Sequence, residues 1–229
     1  MTSERAVYGL SAIAAILLAF NLYNIFMVLP DEAAQGAIYR IMFFHIPAAI
    51  TCFIGFFVAL VLSAMFLKTN NLKYDALAAS VNEVALVFAC VNLVTGSIWA
   101  RIIWGIWWTW DARLTSMLVC ILIYFGYLLL RQSVDEPTQR GRLSAALSIF
   151  GCVDTIIVWK SIEWFRTQHP GPVLSIRTGG GKIDPNMETA IYMNLLAFVI
   201  IAAVLVVIRS RQETTAREID SLRRVVHAG

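Results

Sequence analysis

Six long apolar stretches constrain this chain more than any other feature of its sequence. They cover roughly residues 9–29, 41–67, 77–100, 114–130, 143–160 and 189–208. About 20 apolar residues are enough to cross the hydrocarbon core of a bilayer as a helix. The composition agrees, because 59% of the residues are hydrophobic and only 14% are charged, against about 25% in ordinary soluble domains. The sequence therefore predicts an all-α polytopic membrane protein, with six transmembrane helices in a single membrane domain over residues 1–229.

The distribution of cations predicts the orientation of these helices. An even number of spans places both termini on one side of the membrane, and eleven of the 18 Lys and Arg residues lie on that side. Cytoplasmic loops are enriched in Lys and Arg, so both termini are predicted to be cytoplasmic. The cytoplasmic tail, residues 209–229, carries Ile219, Leu222 and Val225 at helical spacing among charges, which predicts an amphipathic helix.

The outer segment between the third and fourth stretches, residues 99–115, is rich in tryptophan. Five of the seven tryptophans lie within twelve residues, namely Trp99, Trp104, Trp107, Trp108 and Trp110. Two interpretations are open: an aromatic belt at the membrane interface, or a platform for a planar and mostly apolar ligand. The predicted orientation places all seven tryptophans on or near the outer side. A belt would decorate both interfaces, so the asymmetry favours a ligand site on the outer face.

Two of the three histidines are predicted to face the same side as the tryptophans. His45 lies about one turn inside the second span, and His169 lies in the outer segment after the fifth. A histidine inside a span indicates a function, and the alternative is a ring that only hydrogen-bonds within the fold. Two imidazoles beside a wide aromatic surface suit the axial positions of haem iron. Zinc fits less well, because it takes four ligands and no third His or Cys is available.

Charged residues near the tryptophans are candidates for binding the polar edge of haem. Haem carries two propionates, and the guanidinium fork of Arg suits carboxylates. Arg101, Arg113 and Arg166 are the candidate partners, and Asp111 is predicted to orient Arg113 or an indole N–H in the same site. The four cysteines lie singly inside apolar stretches, which argues against disulfides, iron–sulfur clusters and covalent attachment of haem. We therefore expect haem b, bound non-covalently.

A glycine run in the second outer segment resembles a phosphate-binding loop only superficially. Ile183 follows the lysine of Gly179-Gly-Gly-Lys182, so the G-x-x-x-x-G-K-[ST] spacing is absent. The run predicts a flexible, lid-like loop instead.

The run Trp104-Gly-Ile-Trp-Trp-Thr-Trp-Asp-Ala-Arg-Leu-Thr115 resembles the tryptophan-rich signature of the haem-handling proteins of cytochrome c biogenesis. With the length, six spans and two outer histidines, the chain resembles the haem exporter protein C family of the cytochrome c maturation system. The resemblance implies that His45 and His169 are axial ligands and that the signature is the haem platform. It also implies the bacterial inner membrane, with the haem site facing the periplasm. The implied partners are the ATPase and permease subunits of an ABC transporter, a small single-span membrane subunit and a periplasmic haem chaperone.

Three functions are compatible with these features. The first is haem transfer to the chaperone for c-type cytochrome biogenesis. In this function the protein would contact membrane lipid, would have no recognisable catalytic site and would not bind nucleic acid. Exchange of one axial histidine for a ligand from another protein would supply the release step. The second is a transmembrane b-type cytochrome that exchanges electrons with quinone, although such proteins usually place ligand histidines at more than one depth. The third is a haem channel or permease subunit whose histidines are not ligands.

Overall fold

The structure, a computed structural model, describes residues 4–178 and 182–227. Six helices in it are long and apolar enough to cross a membrane, which confirms the predicted all-α polytopic fold. The helices are α1 (Glu4–Tyr23, continued by a π-turn over Asn24–Val28), α2 (Met42–Thr69, preceded by a 3₁₀ turn over Ala37–Ile41), α3 (Leu72–Ile103), α4 (Ala112–Ser133), α5 (Pro137–Trp164), the short α6 (Ser175–Thr178) and α7 (Pro185–His227). Three glycines of the predicted lid-like loop, residues 179–181, lie outside the described residues.

Polar residues in the connections set where several helices begin and end. Asn71, Asp111 and Glu136 cap α3, α4 and α5, because each side chain accepts a hydrogen bond from the backbone N–H groups of the first turn. Pro137 follows the last of these caps, where a missing N–H costs no hydrogen bond. Asn70 adopts a left-handed φ of 52° and ends α2. Helices α2 to α5 therefore extend a few residues beyond the predicted apolar stretches.

The last helix is much longer than a membrane span requires. Its 43 residues correspond to roughly 65 Å of helix, so the predicted tail continues α7 without a break as far as His227, while residues 228–229 lie outside the described part. The apolar side chains of Ile219, Leu222 and Val225 are exposed at 45%, 66% and 73%. The amphipathic face of the tail is thus not covered by this chain.

Helix α2 packs against three of the other spanning helices. It packs along α3 and also contacts α5 and α7, while α4 packs on α5 and α1 on α7. In the core, the rings of Phe56 and Tyr124 stack with their centroids 3.8 Å apart. Side chains such as Phe57, Leu122 and Phe150 point away from the bundle and are more than half exposed, as expected of residues that contact lipid.

Ion pairs hold the end of the bundle opposite the tryptophan-rich segment. The carboxylate of Asp75, which is only 3% exposed, lies 2.7 Å from Arg131 and 2.6 Å from Arg217. Glu83 pairs with Arg209 nearby. These pairs join α3, α4 and α7, and both ends of the described chain lie at this end because the six spans alternate in direction.

Removal of the central carboxylate of this cluster tests its contribution to stability. We expect Asp75→Ala to lower the melting temperature of the purified protein in detergent by roughly 10 °C, because two partly buried guanidinium groups would each lose a carboxylate partner and share only Glu213. Asp220→Ala is the control, since the Asp220 and Arg223 side chains form an exposed pair at 3.8 Å of a kind worth about 0–1 kcal/mol. Equal melting temperatures for the two variants would contradict this assignment.

Candidate functional site

Two histidine rings meet at the tryptophan end, meaning the end of the bundle that carries residues 99–111. His45 comes from the first turn of α2, and His169 comes from the non-helical segment 165–174. Their ring centroids are 6.4 Å apart and the ring planes are inclined by 32°. A metal ion between two imidazole nitrogens, with bonds of about 2 Å, sets the centroids roughly 6–6.5 Å apart. The spacing therefore fits one metal ion bound by both rings.

Residues of α3 hold the ring of His45. The hydroxyl oxygen of Thr95 lies 3.0 Å from Nδ1 of the ring, and the amide nitrogen of Asn92 donates to the backbone carbonyl of His45 at 3.1 Å. Gly96 leaves room for the ring, because a Cβ at that position would lie 3.0 Å from Cε1 of the imidazole. His45 and its partners on α3 all belong to membrane-spanning helices. The part of the site around His45 is therefore built into the helix bundle.

A hydrogen-bonded loop holds His169. Its Nδ1 lies 2.8 Å from the carbonyl oxygen of Pro170, and its backbone N–H donates to the hydroxyl of Thr167 at 3.0 Å. The two oxygens of the Asp111 carboxylate accept from the Thr167 hydroxyl and from the backbone N–H of Gln168, each at 2.8 Å. Asp111 thus joins the start of α4 to the segment that carries His169.

This arrangement differs from the role that the sequence suggested for Asp111. Its carboxylate accepts from the backbone N–H of Arg113 as a helix cap at 2.9 Å, whereas an orienting contact to the Arg113 guanidinium or to an indole was expected. The reason is that segment 165–174 passes over the start of α4 and supplies better-placed donors. Such a contact between distant loops leaves no periodic signal in the sequence.

The pKa values of His169 and of Asp111, which binds its loop, both lie below their ordinary ranges. Burial, followed by the positive charge of nearby Arg113, lowers the pKa of His169 to about 4. Burial alone would raise the pKa of Asp111, but the hydrogen bonds from Thr167, Gln168 and the first turn of α4 lower it overall. At neutral pH a neutral imidazole therefore stands beside an ionised carboxylate, and the neutral imidazole is the form that binds metal.

Two of the five clustered tryptophans reach the histidines. Trp99 is buried and meets His169 edge-on, with ring centroids 6.3 Å apart, and its indole N–H donates to the side-chain oxygen of Gln35 at 2.9 Å. Trp104 lies 5.9 Å from Trp99 between ring centroids. Both indoles line the cavity beside the histidine pair.

The other three tryptophans lie outside this cavity. Trp107 is 60% exposed and Trp110 is 79% exposed, while Trp108 is half-buried and meets Trp110 edge to face at 5.9 Å. Trp107 and Trp108 line a separate open groove between α3 and α4. The segment therefore contributes an inner pair of indoles to the histidines and an outer surface beyond them.

Of the three candidate arginines, only Arg113 lines the space beside the histidines. Its guanidinium donates to the backbone carbonyl of Val158 at 3.2 Å and borders both cavities there. Arg101 is exposed, donates to the carbonyl of Gly105 and lies 6.0 Å from the ring centroid of Trp107. Arg166 is also exposed and borders neither cavity.

Two cavities adjoin the histidine pair, and His45, His169 and Arg113 border both of them. The smaller, of about 30 Å³, lies against α3 and α4, and the larger, of about 150 Å³, lies between α2, α5 and segment 165–174. The other walls are largely apolar, from Phe53, Met117, Val158, Ile46, Ile50, Trp159, Pro172 and Leu174. An apolar crevice with two imidazoles and one guanidinium matches the apolar ring, iron and propionates of haem. Within the described residues, no group of three or more His, Cys, Asp or Glu side chains could hold a bare metal ion.

Comparison with known proteins identifies the family. The family model described as Heme exporter protein C matches residues 1–225. The chain belongs to the haem exporter protein C family. The relative of that name from Bradyrhizobium diazoefficiens is 34% identical over 224 residues, which make up 96% of this chain and 83% of the relative. The one from Escherichia coli K12 is 34% identical over 183 residues, or 80% of this chain and 73% of the relative.

Membership of the haem exporter protein C family confirms the resemblance that the tryptophan-rich run indicated. The sequence alone did not reveal the partners of the two histidines, namely Asn92, Thr95, Thr167 and Pro170. The partners on α3 could have been suspected from the sequence. Asn92 and Thr95 lie one turn apart in a membrane span, where a polar side chain is energetically costly unless it has a partner. For the loop partners no comparable signal exists.

Proposed function

We propose that this protein binds haem through His45 and His169 at the outer face of the inner membrane and passes it to a periplasmic haem chaperone. Its family places it in haem handling for cytochrome c biogenesis. The approach of the two imidazoles to 6.4 Å is the observation that carries the proposal. Six spanning helices and bacterial relatives make it an inner-membrane protein.

The surroundings of the histidine pair suit non-covalent haem b. Trp99 and Trp104 present apolar faces, and Arg113 supplies a cation for a propionate. All four cysteines are free, and none borders either cavity beside the histidines in the part of the chain that the structure describes. Apolar contact would hold the porphyrin ring, the two imidazoles would hold the iron, and no covalent bond to the protein would form. Such a site can release its cargo.

The distribution of Lys and Arg supports an orientation in which the tryptophan end faces the periplasm. Eleven of the 18 Lys and Arg residues lie in the termini and loops at the opposite end, which the positive-inside rule places in the cytoplasm. The exposed indoles of Trp107 and Trp110 would then face the periplasm, where the chaperone arrives. We propose the ATPase and permease subunits of an ABC transporter and a small single-span subunit as the membrane partners, with lipid around the remaining surface.

Electron transfer to quinone is the less well supported alternative. A b-type cytochrome that crosses the bilayer usually has haem ligands at more than one depth, whereas His45 and His169 make one pair at one end. The third histidine, His227, belongs to the last residues of α7 at the other end. A single site at the tryptophan end suits the binding and release of haem.

Substitution of each histidine tests the ligand assignment. We expect the purified protein to carry haem with a six-coordinate, low-spin absorption spectrum, and we expect His45→Ala and His169→Ala each to abolish that spectrum because one axial ligand is removed. The matched control is His227→Ala, which should leave the spectrum unchanged. A wild-type spectrum that survives both substitutions would refute the proposal.

The two groups of tryptophans should have separable effects. We expect Trp99→Ala to lower the haem content of the purified protein severalfold, because it removes apolar contact beside the iron ligands. Trp110→Ala should leave haem content nearly unchanged but slow the appearance of covalently bound haem on the co-expressed chaperone, measured by haem staining of denaturing gels. Equal losses of haem content in Trp110→Ala and Trp99→Ala would contradict separate roles for the inner and outer tryptophans.

A further inference from the structure

The two histidines are attached to the protein in different ways. Resting on the proposed function, we propose that His45 is the ligand that the protein retains and that His169 is the ligand exchanged when haem leaves. Thr95 is then the positioning residue for His45, and Asp111 is the positioning residue for His169. This assigns the release step to one of the two ligands and names the groups that control it.

The contacts of Thr95 fix which nitrogen of His45 is available. Its hydroxyl lies 2.7 Å from the carbonyl of Val91 and 3.0 Å from that of Asn92, and a carbonyl can only accept, so the hydroxyl donates its one hydrogen there. Toward His45 it must therefore accept, which places the proton on Nδ1 of the ring. Nε2 is left with its lone pair, as an axial ligand requires. An accepting partner on the far nitrogen also makes an imidazole a stronger ligand.

Neighbouring residues of α3 prevent this ring from moving away. The amide nitrogen of Asn92 lies 3.3 Å from both ring nitrogens, which places it against the ring instead of on Nε2. The same amide also binds the backbone carbonyl of His45 at 3.1 Å. Gly96, one turn further along α3, also packs closely on the ring, because a Cβ there would lie 3.0 Å from Cε1. Movement of the His45 ring would break its contacts with Thr95 and Asn92 on α3.

His169 has a partner that moves with it. Its Nδ1 donates to the carbonyl of Pro170, the next residue along the chain, so the orientation of the ring relative to its own segment survives a displacement of that segment. Near the ring, the segment is attached to α4 through the Asp111 carboxylate, which accepts from Thr167 and Gln168. Its other attachments lie at its ends, where the N–H of Phe165 donates to the carbonyl of Ser161 and Leu174 is buried in the core. The two hydrogen bonds to Asp111 can break while these ends stay in place, whereas His45 is part of a spanning helix that packs along α3.

These attachments define the exchange. The coordinate bond between iron and Nε2 of His169 would break, the part of the segment around Thr167–His169 would move away from α4, and an incoming neutral donor would take the vacated position on the iron. One neutral ligand replaces another, so no electron and no proton needs to be supplied. The bond from His45 to iron persists until the haem leaves.

Carbon monoxide is a suitable probe, because it binds reduced haem only after an axial ligand has left. The purified, haem-loaded full-length protein would be reduced and mixed with carbon monoxide in a stopped-flow spectrometer. We expect Asp111→Asn to accelerate binding roughly tenfold, because the hydrogen bonds that hold the histidine segment are weakened. Thr95→Val should change that rate by less than about twofold and should raise the midpoint potential of the haem, because His45 loses the accepting partner that strengthens it.

Two further variants complete the test. Asp184→Asn is the matched control, because Asp184 also accepts from the first-turn N–H groups of a helix, those of Asn186 and Met187, but does not bind the histidine segment. Its rate should equal that of the wild type. Thr167→Val removes one of the two donors that the histidine segment offers to Asp111 and should also accelerate binding, so the proposal is tested even if Asp111→Asn fails to fold.

The outcomes separate this inference from the proposed function. If Thr95→Val accelerates binding as much as Asp111→Asn, or if Asp111→Asn and Thr167→Val are no faster than Asp184→Asn, the unequal attachment is overturned while two-histidine ligation stands. If the wild-type haem is not six-coordinate, both proposals fall. As an independent measurement, His169→Ala should retain five-coordinate haem, whereas His45→Ala should lose most of it, and the reverse order would overturn the assignment.

Discussion

The site at the tryptophan end depends on bringing two imidazoles within 6.4 Å, one from the membrane and one from outside it. Helix packing supplies the first, since His45 projects from α2 onto α3. A carboxylate supplies the second, since Asp111 draws segment 165–174 over the start of α4. Each ring has its Nδ1 engaged with an oxygen, so Nε2 of each ring is the nitrogen that would bind iron in the proposed function.

The two ends of the bundle use charge for different purposes. At one end the carboxylates of Asp75 and Glu213 pair with Arg131 and Arg217 and join three helices, which is a structural role. At the other end Arg113 lies beside the two imidazoles, and Asp111 binds the segment that carries His169. In the proposed function, the guanidinium of Arg113 is the cation that a propionate of haem would meet there.

The sequence predicted the spans well, because an apolar stretch of about 20 residues has few other stable structures. It placed the helix ends less well, since caps such as Asn71 and Glu136 act through local hydrogen bonds outside the apolar stretches. His45 and His169 could be selected because imidazole is rare in such a chain. Their partners could not, since Thr167 and Asp111 are 56 residues apart. The structure also divides the tryptophans, which composition alone treated as one platform, into an inner pair and an outer surface.

Pulsed electron paramagnetic resonance of the oxidised, haem-loaded protein tests the central claim most directly, because it detects the nitrogens bound to ferric iron. With selectively ¹⁵N-labelled histidine, the account predicts a low-spin signal coupled to two histidine nitrogens in the wild type, and a high-spin signal coupled to one in the haem that His169→Ala retains. A signal from a single histidine nitrogen in the wild type, or from iron without histidine, would contradict it.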